Sequence, residues 1–351
     1  MSLADVKYQG HAQRFLQRTM QGRRLAHAYL LHGPEGVGKE TLARSFAEVL
    51  LCSAPVDTAL DPAEAEITGL ESLPVGCGQC EDCRLVAAET HPDLHFVYRQ
   101  LNRDHPDSAV RSRKALDLGV DVLRHFVIDR VGLTPGRGRA KVFIIREADR
   151  MTPAAQNALL KTIEEPPGVT VIMLLVTALE RMLPTTLSRC QVVRFDTLPM
   201  PFIQAKLAAF LPSLPAEQLD WYARSADGSL GLALERAQDD SYSLNGRLVE
   251  HLAQLPNALR NGLAEVWTDE SKALGGRYRK RDPEITDTEA GRRGFKEIFR
   301  LAALWYADIL RAATGDTSTI VNATSLTQIE SASETVDSAG AADAIERIAR
   351  A

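Results

Sequence analysis

The residues Gly33-Pro34-Glu35-Gly36-Val37-Gly38-Lys39 have the G-x-x-x-x-G-K spacing of a phosphate-binding loop. An apolar run, Ala28 to His32, precedes them. A segment from Thr41 to Cys52 with helical spacing of Leu42, Phe46, Val49 and Leu50 follows. Glycines at these positions let backbone N–H groups wrap a phosphate, and Lys39 adds positive charge. The next position should carry the Ser or Thr hydroxyl that binds magnesium, but it is Glu40. The hydroxyl moves to Thr41, about 100° further round the helix, and a carboxylate beside a triphosphate adds repulsion unless a metal neutralises it. The other half of such a site is a strand ending in two acids, one holding magnesium and one orienting water. Here the strand Lys141–Ile145 ends in Arg146-Glu147, so an arginine stands in the metal-binding place. These residues predict a phosphate-loop fold that lacks a principal metal ligand. The alternatives are a hydrolase using Glu40 or Glu147 in an unusual metal site, and an Arg146 that is merely a surface arginine.

The cysteines form a second constellation. Cys77, Cys80 and Cys83 make a C-x2-C-x2-C run, Cys52 lies upstream, and Cys190 stands alone. In a cytosolic-looking chain, clustered cysteines read as a metal site before a disulfide framework. Four thiolates suit a closed, tetrahedral structural zinc site; an iron–sulfur cluster or a redox pair is the competing chemistry. Cys190 reads as a small buried hydrophobe.

The elements that must position these groups are legible in outline. Strand-like runs at 28–32, 94–98, 141–145, 170–176 and 192–195 alternate with helical patterns, which predicts an α/β domain with a covered parallel sheet over residues 1–196. Residues 53–76 read as a surface insertion without period, and 99–114 as a charged, mobile loop. Beyond Pro199 and Pro201 the pattern is helical, around 202–211, 215–226, 229–238 and 241–312. The clearest stripe runs through Phe295, Ile298, Phe299, Ala302, Trp305 and Ile309. A Ser/Thr/Ala-rich tail over 315–340 precedes a last helix at 341–350.

Composition excludes several classes. The 351 residues carry a formal net charge of −5 with 45% hydrophobic residues, which argues against a dedicated basic nucleic-acid binder. No apolar run reaches the length of a membrane span, and Met1 to Asp5 lacks the pattern of a secretory leader. A cytoplasmic protein without membrane contact is expected.

The segments His27-Ala28-Tyr29-Leu30-Leu31, Thr90-His91-Pro92-Asp93, Asn157 to Pro167 and Leu187-Ser188-Arg189-Cys190 resemble the bacterial DNA polymerase III clamp-loader family of AAA+ proteins. The resemblance covers about 1–240. It implies a RecA-like P-loop domain (1–196) with an inserted zinc module (52–83), a helical lid (197–240) and a helical collar (241–351). It also places the zinc ligands at Cys52, Cys77, Cys80 and Cys83. Glu40, Arg146 and Gly231, which stands where an active lid carries a basic residue, favour the catalytically silent delta-prime type over the tau/gamma ATPase type. So does the chain's end near residue 351, because the full-length tau form continues much further. The implied partners are the tau/gamma ATPase subunits and a delta subunit in a hetero-pentamer, which loads the sliding clamp on primer–template DNA. By membership of the polymerase III holoenzyme, a nucleotidyltransferase complex, such a subunit takes part in DNA replication without ATPase or polymerase activity of its own. ATP and magnesium are implied at the neighbouring subunit. The degenerate site (Gly33, Gly36, Gly38, Lys39, Glu40, Thr41, Arg146, Glu147) keeps little or no nucleotide.

Within the same resemblance, Arg189 is the residue that reaches the γ-phosphate of ATP next door. A guanidinium stays charged and can bond two phosphate oxygens. The alternative is an intramolecular salt bridge. Ser188 is expected to shape the turn. Asn157, Lys161 and Glu164 share helical spacing and suit either interface contacts or a capped helix stopped by Pro166-Pro167. The basic run Arg277-Tyr278-Arg279-Lys280-Arg281 offers a nucleic-acid surface or, as the plainer reading, a solvated loop.

Overall fold

Residues along the central strands alternate between two hydrophobic layers, as the period of two in a pleated strand requires. In the computed structural model, Tyr29 and Leu31 face one layer with Val142, Ile144, Val171 and Met173. Ala28 and Leu30 face the other with Phe143, Ile145, Ile172 and Leu174. The structure describes residues 6–21, 25–137, 140–254, 263–282 and 285–350. The segment Met1 to Asp5 and the parts of the expected helical region at 255–262 and 283–284 lie outside them.

Two compact units are present, Met1–Pro199 and Met200–Ala351. In the first, the strands are β1 (Ala28–His32), β2 (Val56–Ala59), β3 (Ser72–Val75), β4 (Leu94–Val97), β5 (Lys141–Ile145), β6 (Thr170–Val176) and β7 (Gln191–Arg194). Five of them form one parallel sheet in the order β4-β5-β6-β1-β7. Leu30 sits opposite Leu174 of β6 and Val192 of β7, so the loop after β1 emerges at the sheet's carboxyl edge, one strand in from β7. Ligands bind at that edge in open α/β sheets. Helices α1 (Gly10–Gln21) and α2 (Lys39–Leu51) contribute Leu16, Leu42 and Phe46 to the first layer. The second layer is covered by α5 (Pro153–Glu164) and by a helical stretch from Val120 to Val131 with a π turn at Arg124–Ile128. That stretch has no counterpart in the sequence reading.

Two segments differ from expectation. Residues 53–76 are not without regular structure: β2 and β3 pair as an antiparallel hairpin around α3 (Pro62–Thr68), and Leu73 is buried against the main core. Asp61 caps α3 by accepting from Glu64 N at 2.9 Å, with Pro62 at the first helical position. The charged segment 99–114 is laced rather than loose. It folds as a 3-10 turn (Arg99–Asp104) and a short helix (Ser108–Arg111), with Asn102 donating to the Arg113 carbonyl and Arg111 to those of His105 and Pro106.

The second unit is helical: α6 (Met200–Phe210), α7 (Ala216–Ser225), α8 (Leu230–Gln238), α9 (Ser241–Ala253), α10 (Leu263–Arg281), α11 (Asp287–Ala313), α12 (Leu326–Ser333) and α13 (Ser338–Arg350). Trp305 and Ile309 of the expected stripe are buried with Val249, Ile320 and Ile329. Its interior also holds polar groups. Asp308 is fully buried and accepts from Val321 N, Asn322 N and Asn322 Nδ2, while Asn322 Oδ1 accepts from Trp221 Nε1 and Asn245 Nδ2. Arg236 of α8 forms a buried ion pair with Glu297 of α11 at 2.7 Å. The basic run 277–281 is not a solvated loop. It ends α10, with Tyr278 buried, Arg279 paired to Asp287, and Arg281 donating to both oxygens of Asp239.

Candidate functional site

The phosphate loop sits between β1 and α2. A Cβ on Gly33 would lie 2.5 Å from the Phe195 carbonyl oxygen, so only glycine lets the strand end pass so close. Gly38, with φ 100°, takes the left-handed turn that starts α2. Gln9 fastens this corner by donating to the Val37 and Asp196 carbonyls and accepting from Asp196 N at 3.0 Å. Lys39 is buried, and its Nζ donates to the loop's own Gly33 and Pro34 carbonyls. Burial lowers its pKa to about 8, against the attraction of Glu35 and Asp149.

The two residues that depart from a metal-binding site meet each other. Arg146 Nε donates to Glu40 Oε2 at 2.9 Å and Nη2 to Oε1 at 2.5 Å. Arg44, one turn along α2, also donates to Glu40 at 2.9 Å and pairs with Glu89. The Arg146 guanidinium lies over Phe96 and Tyr98, at 5.0 and 5.6 Å from the ring centroids, and Arg44 lies 4.4 Å from that of Phe96. Burial acts to raise the Glu40 pKa, but the two arginines outweigh it and hold the carboxyl below its ordinary value. The charge of Glu40 is thus matched by two guanidinium groups of its own chain. Glu147, at φ 48°, turns aside to accept from Arg99 at 2.8 Å. Thr41 follows Glu40 within the first turn of α2.

Arg189 lies in the turn before β7, at the sheet's amino edge and opposite the carboxyl edge that carries the phosphate loop. It is exposed, and it forms the intramolecular ion pair that the plainer sequence reading allowed, with Glu164 at the end of α5. Nη1 donates to the Thr185 carbonyl at 3.0 Å and to Ser188 Oγ at 3.3 Å. Ser188 Oγ in turn donates to Thr185 O. Gln156, missed in the sequence, anchors this segment from inside: its Oε1 accepts from Leu183 N at 2.8 Å and from Thr186 Oγ1, and its Nε2 donates to Arg181 O. Its place among small and apolar residues, three after Pro153, gave no sign of that role. Asn157 and Lys161 are exposed on α5.

Cys52 ends α2, and Cys80 caps α4 (Glu81–Ala87). With Cys77 and Cys83 their sulfurs all lie within 4.8 Å of one another, at 3.8 Å for Cys52–Cys80 and 4.0 Å for Cys77–Cys83. Four sulfurs about 2.3 Å from a central ion at tetrahedral angles stand about 3.8 Å apart, so the donor set fits a metal of that size. Backbone N–H groups of Cys77, Cys80 and Cys83 point at sulfurs of the cluster, which favours thiolates. No disulfide forms among these residues. Asp82 ties the module to the sheet through Arg137, and Asp93 holds Gly136 N and Arg137 N. Cys190 is buried away from the cluster, and burial pushes its thiol up to about 12.

The family model described as DNA polymerase III, delta subunit, matches residues 8–199, which contain the loop, the cysteines and Arg189. The chain belongs to the DNA polymerase III delta subunit family. DNA polymerase III subunit delta' of Pseudomonas aeruginosa is 37% identical over 207 residues, 58% of this chain and 53% of the relative. Subunit delta' of Escherichia coli K12 is 30% identical over 238 residues, covering 68% and 62%. Subunit tau of Salmonella typhimurium is 31% identical over 251 residues, 70% of this chain and 34% of its own length. The chain thus spans about half the length of the first of these relatives and a third of the last. A solved gamma subunit-related protein of Thermotoga maritima is 19% identical with a TM-score of 0.38, over 96% of this chain and 99% of that one. Among the described residues, no helix is long and apolar enough to cross a membrane.

Proposed function

We propose that the protein is a delta-prime-type, non-hydrolysing subunit of a DNA polymerase III clamp loader, working in the cytoplasm during replication. The observation that carries this reading is the Glu40–Arg146 pair. The two side chains that should grip magnesium grip each other instead, so neither is free to hold a metal that would activate water. What it retains is Arg189, an exposed guanidinium that completes the ATP site of a neighbouring tau/gamma-type subunit. Positive charge placed where the transferred phosphoryl group develops charge lowers the barrier without any chemistry on this chain. The surrounding assembly in this proposal is a hetero-pentamer with tau/gamma and delta subunits, acting on the sliding clamp and primer–template DNA. Residues 197–240 serve as its lid and 241–351 as its collar, and zinc fills the four-cysteine site as a structural ion.

The test is ATP turnover. The purified chain should not hydrolyse ATP. Added to tau/gamma-type and delta subunits with clamp and primed DNA, it should raise turnover, and Arg189→Ala should remove that gain by about a hundredfold or more. Hydrolysis by the isolated chain, abolished in Lys39→Ala, would establish the opposing reading of an active P-loop ATPase.

A further inference from the structure

The proposed trans-acting arginine is not a loose side chain, and the residue that holds it has no role so far. Glu164 accepts from Arg189 Nε, while Thr185 O and Ser188 Oγ take Nη1. Nη2 makes no hydrogen bond among the described residues. Nε and Nη1 of the guanidinium are therefore tied down, and Nη2 is left for a further acceptor. The tether comes from the last residue of α5, and the same helix anchors the backbone below through Gln156, eight residues earlier. Backbone and side chain of the 181–189 segment are thus referred to a single rigid element.

We propose that Glu164 is a positioning residue for Arg189: it fixes the Nε edge so that Nη2 is presented in advance to the γ-phosphate of the neighbouring subunit's ATP. The proposal rests on the reading of Arg189 given above and adds a second residue to it. An unrestrained arginine at a surface must surrender its rotamer freedom when it engages the phosphate, and a prior tether removes that cost from the reaction step. Stability does not account for the pair, because exposed ion pairs contribute little to folding. The opposing effect, repulsion between the carboxylate and the phosphate, is weakened by the water that reaches both Glu164 and Arg189.

The experiment uses the reconstituted complex with clamp and primed DNA, and compares Glu164→Ala, Glu164→Asp, Glu164→Gln, Arg189→Ala and the double variant Glu164→Ala/Arg189→Ala, with rates taken per assembled complex. Glu164→Ala should lower kcat about tenfold with the KM for ATP unchanged. Glu164→Asp keeps the charge but falls short by one methylene, and should also be slow. Glu164→Gln, which keeps an acceptor at the same reach, should recover most of the rate. The double variant should be no slower than Arg189→Ala alone. If Arg189→Ala is slow while the Glu164 variants turn over like wild type or faster, the positioning role fails and the arginine's role stands. If Arg189→Ala itself turns over normally, the reading on which the proposal rests has failed.

Discussion

Glu40 and Arg146 are 106 residues apart in the chain, yet their side chains meet in two hydrogen bonds of 2.9 and 2.5 Å. Each alone looks like damage to a nucleotide site. Together they are matched charges: the carboxylate on α2 and the guanidinium after β5 meet where the proposed reading looks for two metal ligands. Arg44 and the Phe96 and Tyr98 rings close round them.

Reversing both members should reopen the site. Glu40→Thr/Arg146→Asp restores a hydroxyl and a carboxylate, so magnesium should tighten nucleotide binding about tenfold, read by titrating a fluorescent nucleotide with and without chelator. Wild type should show no such dependence, and a wild-type chain that binds nucleotide only with magnesium would contradict that reading.

The same pair has a pH signature. Because Arg146 and Arg44 overcome burial and depress the Glu40 pKa below 4.5, its contribution to stability is complete above that value and is lost as pH falls through the lower, folded one. Urea midpoints followed by circular dichroism should favour wild type over Glu40→Ala by a constant margin above about pH 5. The margin should narrow as pH drops below that.

Metal content distinguishes the cysteines. Elemental analysis should find one zinc per wild-type chain and per Cys190→Ser chain, and little in Ser variants of Cys52, Cys77, Cys80 or Cys83. Iron with acid-labile sulfide in place of zinc would change the identity of the site. Chelation should speed amide exchange in the 53–76 hairpin, whose base the cluster closes.

In the second unit, Arg236→Ala should cost about 3–5 kcal/mol by stranding the buried Glu297 carboxylate. Replacing the pair together, as Arg236→Met/Glu297→Leu, should cost much less. Denaturation curves of the three chains decide this, and equal losses in both variants would refute a charge-stranding cause.

The parallel sheet and the phosphate loop were legible because both are local: β-branched runs mark strands buried on two faces, and glycine spacing marks the loop. The four cysteines were legible from number and spacing, although the hairpin between Cys52 and Cys77 was not. Its strand β2 is exposed at every residue and leaves no period of burial to read. What escaped notice was pairing across distance. Glu40 with Arg146, Gln156 with the 181–186 backbone, and the identity of Glu164 as the partner in the salt bridge expected of Arg189 are relations between segments, and one-dimensional spacing does not encode them. The Asp308–Asn322–Trp221 network escaped for the same reason, and because Asp on a helix ordinarily reads as a solvent-facing residue.

The protein's three tryptophans, Trp221, Trp267 and Trp305, all follow residue 199. Indole emission during denaturation therefore arises within the helical unit, and no tryptophan lies in the sheet. Trp221, dry and bonded to Asn322, should shift its colour sharply when that half opens. Backbone ellipticity, recorded beside this emission, follows the sheet directly.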